Sequence, residues 1–137
     1  MWELLLPGAI VYLEKVSSEK NKMPFTAVAV QRKGFPVMVH THRTNDLANY
    51  LIEEDLIPGL EEAEVINREI KSGTSRFDFL IRKGNEEIIL EVKSCTLFGE
   101  KLAMFPDAIT ARGKRHIEEL AALSKRGKAG AVLFLIP

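Results

Sequence analysis

Apolar and polar positions alternate with a period of two through much of the chain. Residues 9–15 and 24–31 are rich in Val, Ile and aromatic side chains, and Lys33-Gly34 leads into a further such run at 35–40. These runs predict strands, with Pro36 at the start or edge of its own. The period then changes. Leu47, Tyr50 and Leu51 recur at helical spacing behind Thr44 or Asn45, either of which suits a cap, and Ile57-Pro58-Gly59 stops the helix. Residues 64–70, 75–82 and 87–93 read as strands again. A loop through Gly99 and Pro106 leads to a second helix, about 108–126, with Ile117, Leu120, Ala121 and Ser124 on one face. Gly127 ends it, and 129–136 is an apolar run of the kind a buried strand shows. From residue 43 the predicted order is α-β-β-β-α-β. That makes the fold class α/β, behind a β-rich segment at 1–42.

The strands at 75–82 and 87–93 can be registered from the residues themselves. Gly84-Asn85 forms a two-residue turn with glycine first, which suits a type II′ hairpin. Lys83 then opposes Glu86, and Ile81, Phe79 and Phe77 oppose Ile88, Leu90 and Val92. The apolar pairs define a buried face, and a slip of one residue would turn them outward. On the other face Asp78 lies across from Glu91, and Arg76 from Lys93. Two carboxylates with Cβ atoms about 5 Å apart repel unless a cation lies between them. Mg²⁺, or Mn²⁺ in its place, suits such a pair: it takes carboxylate oxygens, keeps waters and meets phosphate oxygens in its open positions. The Val92 carbonyl is a candidate third ligand. Lys93, on the same face, can orient or deprotonate a water or stabilise charge on a phosphorane. Closing the preceding hairpin with Lys71 to Thr74 sets Glu69 against Arg76 and adds both to the patch. The same alternation also describes a solvated ladder of charges, and spacing alone does not separate the two.

Composition adds a charge pattern. The 137 residues hold 19 Lys and Arg and 19 Asp and Glu, with 46% apolar side chains, the profile of a globular domain able to bury a core. The balance is uneven. Residues 1–42 carry five basic and three acidic side chains, 43–109 eight and fourteen, and 110–137 six and two. Arg112, Lys114 and Arg115 fall in the first turns of the second helix, and with Lys125, Arg126 and Lys128 they suit a phosphate backbone or a solvated face. Contacts of that kind are independent of base sequence and weaken with salt. A single cysteine, Cys95, precludes an internal disulfide and points to a reducing, cytoplasmic setting. Runs free of charge are too short for a membrane helix. His40, His42 and His116 lack an obvious fourth ligand for zinc, no histidine is placed beside Cys95 to make it a nucleophile, and no phosphate-binding glycine loop supports ATP chemistry. Asp107 suits a helix cap or an approach to the acidic pair.

The stretch Ser75-Arg76-Phe77-Asp78-Phe79-Leu80, then Glu91-Val92-Lys93-Ser94, Phe105-Pro106-Asp107-Ala108 and Thr110-Ala111-Arg112-Gly113-Lys114-Arg115-His116 resembles the sugar fermentation stimulation protein A (SfsA) family. His42-Arg43-Thr44-Asn45 and Leu56-Ile57-Pro58-Gly59-Leu60 resemble it too, so the likeness runs over nearly the whole chain. The resemblance implies a restriction-endonuclease-like, or PD-(D/E)XK, core over 43–137, with 1–42 as a partial OB-like β segment. It implies DNA binding, and a role in regulating sugar metabolism, notably that of maltose. Asp78, Glu91 and Lys93 would be the metal-binding and catalytic positions, and His116 a helix residue near them with Arg112. Family members usually begin earlier, with strands that complete the barrel, and continue beyond residue 137. The sheet edges left open here are expected to be covered by a homodimer or another chain.

The sequence therefore predicts a DNA-binding protein, held mainly through the phosphate backbone by Arg112, Lys114, Arg115 and His116. A Mg²⁺-dependent phosphodiester-cleaving site, a deoxyribonuclease site, is expected at Asp78, Glu91, Val92 and Lys93. The competing expectation is a non-catalytic, non-specific DNA-binding regulator that keeps the nuclease-like fold and its charges as architecture.

Overall fold

The computed structural model describes residues 4–16, 23–95, 97–99, 101–105 and 110–136. The fold is mixed α/β. Strands β1 (Val11–Lys15), β2 (Phe25–Arg32) and β3 (Phe35–Met38) form an antiparallel sheet in that order, closed on one face by Leu4, Val30 and Val37. A turn of 3₁₀ helix at Thr41–Arg43 leads into α1 (Thr44–Glu53). A second sheet has the order β4-β5-β6-β9, from β4 (Ala63–Ser72), β5 (Ser75–Lys83), β6 (Glu86–Ser94) and β9 (Ala129–Leu135). Between β6 and β9 lie a short hairpin, β7 (Leu97–Phe98) with β8 (Ala103–Met104), and helix α2 (Ala111–Lys125). Because β6 and β9 run parallel, a crossover must join them, and α2 is that crossover. The order α-β-β-β-α-β is the one the sequence predicts, with the hairpin inserted where a plain loop was expected.

Each helix covers one face of the larger sheet. Ala48 and Ile52 of α1 pack with Phe79, Ile81, Leu90 and Val92. Leu120 of α2 packs with Phe77 and Ile89. Residues 89 and 90 are neighbours on one strand and so point to opposite faces. Phe79, Ile81 and Leu90 are at most 1% exposed, and each contributes about 1.5–3 kcal/mol through burial. The turn at Gly84-Asn85 has its positive φ, 57°, on the glycine, which is the type II′ requirement.

Several local expectations are corrected. Neither Thr44 nor Asn45 caps α1: Arg43 holds that place, and the Thr44 hydroxyl donates back to the Thr41 carbonyl at 2.7 Å. The buried stripe of α1 is Thr44, Ala48 and Ile52, while Tyr50 is exposed. On α2 the buried stripe is Gly113, His116 and Leu120, one position earlier than expected, and Ile117 faces outward. The physical reason lies on β9. Gly130 has no side chain, and a Cβ there would stand 2.9 Å from Leu120 Cδ1, so Leu120 seats against bare backbone and sets the rotation of the helix. Strand β9 is not fully buried but lies at the sheet edge, with Phe134 exposed.

Candidate functional site

The pairing of β5 with both its neighbours is interrupted at Asp78. The β5–β6 ladder has the predicted register from Lys83–Glu86 through Ile81–Ile88 to Phe79–Leu90, and ends there. On the other side, the β4–β5 ladder runs through Arg68–Phe79 and Ile70–Phe77 with no rung at Glu69 and Asp78. Glu69 has a φ of 55°, unusual for a non-glycine residue, while the register is the same on either side of it; the shift in this strand pair lies earlier, between Val65 and Asn67. The Asp78 side chain takes over where the backbone pairing stops. Its Oδ2 accepts the Val92 N–H at 2.7 Å, and its Oδ1 accepts Asn45 Nδ2 from the first turn of α1 at 2.8 Å. This break corrects the simple hairpin reading: Phe77 does not continue the Phe79 face but packs under α2 with Ile89.

Glu91 is held from the other helix. It lies on β6, an interior strand, with α2 above it, and is 2% exposed. One carboxylate oxygen, Oε1, accepts from Lys93 Nζ and lies 2.7 Å from His116 Nδ1. The other, Oε2, is buried and has no hydrogen-bond partner among the described residues. A buried carboxylate oxygen left without a donor or cation is costly. His116 reaches this depth because it belongs to the buried stripe of α2, begun by a close N-terminal cap. Thr110 Oγ1 accepts the Gly113 N–H at 3.1 Å, and a Cβ on Gly113 would stand 2.7 Å from Thr110 Cγ2. Glycine at 113 is therefore what lets the cap close over the strand.

Burial raises the Asp78 carboxyl above the ordinary range, against the Val92 N–H bond that favours its ionised form. The neighbouring Glu91 charge raises it further, while Asn45 and Lys93 oppose the rise. Asp78, Glu91, Lys93, Phe105, Thr110, Arg112, Gly113 and His116 line one cleft of about 260 Å³. The cleft opens to the surface.

The remaining predicted residues distribute unevenly. The N–H of Val92 donates to Asp78 Oδ2, which ties that residue's backbone to the acidic pair. Of the basic residues expected on α2, Arg112 lines the cleft, whereas Lys114 pairs with Glu118 at 3.7 Å and Arg115 lies beside Glu119. His116 is 4% exposed and belongs with Glu91, not with a solvent-facing basic row. Arg76 and Glu69 form an exposed ion pair at 3.0 Å and do not line the cleft. Their expected register is also corrected: the turn is Gly73-Thr74, so Lys71, not Glu69, opposes Arg76. Asp107 lies outside the described residues, and the cap of α2 is Thr110. His40 and His42 meet edge to face at 5.9 Å. Asn45, Thr110 and Phe105 were not expected as site residues. All three stand within motifs that carry the family likeness, but no spacing rule assigns them to the acidic pair.

The donor set can be tested against a divalent cation. Among the described residues no three His, Cys, Asp or Glu side chains gather into a ready-made cage. A site here would rest on Asp78 and Glu91, completed by backbone oxygen and water, which is how Mg²⁺ is usually held. The unpartnered Glu91 Oε2 fits such an ion, because a cation supplies the charge and contact that the oxygen lacks.

Comparison with known proteins gives a consistent picture. Residues 42–137 match the model of the sugar fermentation stimulation protein RE domain. A sugar fermentation stimulation protein homolog of Methanothermobacter thermautotrophicus is 42% identical over 134 residues, covering 98% of this chain and 56% of that protein. A homolog of the same name from Natranaerobius thermophilus is 39% identical over 140 residues, covering 99% of this chain and 58% of that protein. The solved structure of Pyrococcus furiosus SfsA in complex with Ca²⁺ superposes with a TM-score of 0.86 at 33% identity, over 98% of this chain and 57% of that one. The chain thus spans a little over half the length of these relatives. With a family model matched across both helices and the whole of the larger sheet, the chain belongs to the sugar fermentation stimulation protein family.

Proposed function

We propose that this chain carries a divalent-metal-dependent phosphodiester-cleaving site acting on DNA, on a PD-(D/E)XK-type core at 43–137 behind a partial OB-like segment at 1–42. The observation that carries the reading is the buried Glu91 carboxylate, its Oε2 without a partner among the described residues, beside Lys93 and facing the same cleft as Asp78. The name of the Pyrococcus furiosus relative records Ca²⁺ in that protein, a hard cation with the same preference for oxygen ligands as Mg²⁺.

Asp78 and Glu91 would hold Mg²⁺ or Mn²⁺, with the Val92 carbonyl as an added ligand. When bound, the ion would neutralise phosphate charge and polarise a water. The chain's own groups do the rest. Asn45 and the Val92 N–H fix the Asp78 carboxylate before any ligand arrives, which limits reorganisation during reaction. Lys93, as an ammonium, donates to a phosphate oxygen whose charge grows as water adds to phosphorus and the P–O ester bond breaks. Arg112, which lines the cleft, would hold a neighbouring phosphate. Lys114 and Arg115 extend backbone contact along the exposed face of α2, with His116 contributing through Glu91.

A second reading has one observation in its favour. Glu91 Oε1 is already engaged by both Lys93 and His116, an arrangement that also suits a purely architectural ion pair in a non-catalytic DNA-binding regulator. Calorimetric titration with Mn²⁺ or Mg²⁺, wild type against Glu91→Ala, followed by labelled DNA, separates them. Saturable binding lost in the variant, with metal-dependent cleavage by the wild type, supports the enzyme. DNA binding with no metal binding in either protein would leave only the regulator. No helix among the described residues is long and apolar enough to cross a membrane.

A further inference from the structure

Beside the acid–lysine group lies a feature that holding a phosphate backbone does not require. In the parallel ladder of β6 and β9, Phe134 is the partner of Lys93. It is the one exposed position of β9, at 50%. Phe105, on the cleft wall, lies 5.9 Å from it with the rings tilted by 54°. Lys93 Nζ stands 5.9 Å from the centre of the Phe105 ring. Two aromatic rings and a cation thus adjoin the carboxylates.

Duplex DNA presents phosphates and groove edges, with its base faces hidden in the stack. An aromatic face has little to bind there. A single strand exposes base faces, and a charged groove lined with aromatic rings is the usual way a protein holds one. Resting on the phosphodiester reading above, we propose that the cleft takes single-stranded DNA, with Phe134 and Phe105 as a stacking platform for the base next to the phosphate that Lys93 and Arg112 hold. Charge and ring then have separate tasks: the cations fix the backbone, and the rings select an unstacked base.

The test uses a single-stranded oligonucleotide carrying 2-aminopurine, whose fluorescence reports stacking, and a duplex of the same sequence. The wild type should bind the single strand more tightly and change its emission. Phe134→Leu should weaken single-strand binding about tenfold and leave duplex binding unchanged, and Phe105→Leu should weaken single-strand binding by a similar factor. Phe134→Tyr should restore it, which separates the ring's face from its bulk. Phe134 is half exposed, so its variants should fold; circular dichroism checks this. Equal affinity for both DNA forms, or leucine variants that bind as wild type, would overturn the platform while leaving the phosphodiester reading intact. Binding to neither form would overturn both. A wild-type dimer that Phe134→Leu dissociates would assign the ring to a subunit contact and would also overturn the proposal.

Discussion

Replacing Lys93 with methionine removes an ammonium while keeping most of the side chain's length and apolar volume. The loss is therefore chiefly electrostatic. The Lys93 side chain is 13% exposed and that of Glu91 3%, so this is a buried pair and not a surface one, where the value would be about 0–1 kcal/mol. Removing one partner of a buried pair costs about 3–5 kcal/mol, because the remaining charge stays buried. Two features act in opposite directions. His116 remains on Oε1 and offsets part of the loss, while Oε2 has no donor among the described residues to fall back on. The expected loss is about 3 kcal/mol, which for a chain of this size lowers Tm by roughly 10 °C. Urea and thermal unfolding in EDTA would measure it. The double variant Lys93→Met/Glu91→Gln should recover part of the loss, since neither charge is then stranded, with a coupling of at least about 1 kcal/mol. Mg²⁺ at saturating concentration should stabilise the single variant more than the double one. A Lys93→Met protein within about 1 kcal/mol of wild type in EDTA would refute the assignment of Lys93 as the counter-ion of Glu91.

Asp78, raised by burial and then by Glu91, contributes stability that is fully present below the ordinary carboxylate pKa and is lost as pH rises through its folded value. In metal-free buffer, the stability of wild type relative to Asp78→Asn should therefore fall as pH is raised from about 4 to about 7, measured by urea unfolding; a difference that grows with pH would contradict the burial argument. At Gly113, alanine brings a helix-propensity gain of about 1 kcal/mol but forces Thr110 from its cap, a loss of about 1 kcal/mol. Gly113→Ala should be close to neutral in chemical denaturation, and a full kilocalorie of stabilisation would show that the cap is not coupled to that position. Arg112→Ala should reduce the salt dependence of DNA binding by roughly one phosphate contact, seen as a change of about 0.9 in the log–log slope. Lys114→Ala, whose charge is shared with Glu118, should reduce it less, and equal slopes would remove the distinction between cleft wall and outer face.

Much of this protein was legible from local rules. The hairpin register follows from a glycine-first turn and from apolar pairs at Phe79–Leu90 and Ile81–Ile88, since a slip of one residue would expose the core. The order of helices and strands from residue 43 follows from changes of period, and the family likeness from motifs in a fixed order. What the sequence left open depends on contacts between elements distant in the chain. The rotation of α2 is set by Leu120 against the bare backbone of Gly130, and that decides that His116 turns inward to Glu91. The break at Asp78 depends on a carboxylate outcompeting a carbonyl for the Val92 N–H while Asn45, thirty-three positions away, takes its other oxygen. Periodicity assigns a residue to a face only while the ladder is regular. Where side chains replace backbone in the pairing, tertiary structure decides, and here that place is the candidate site.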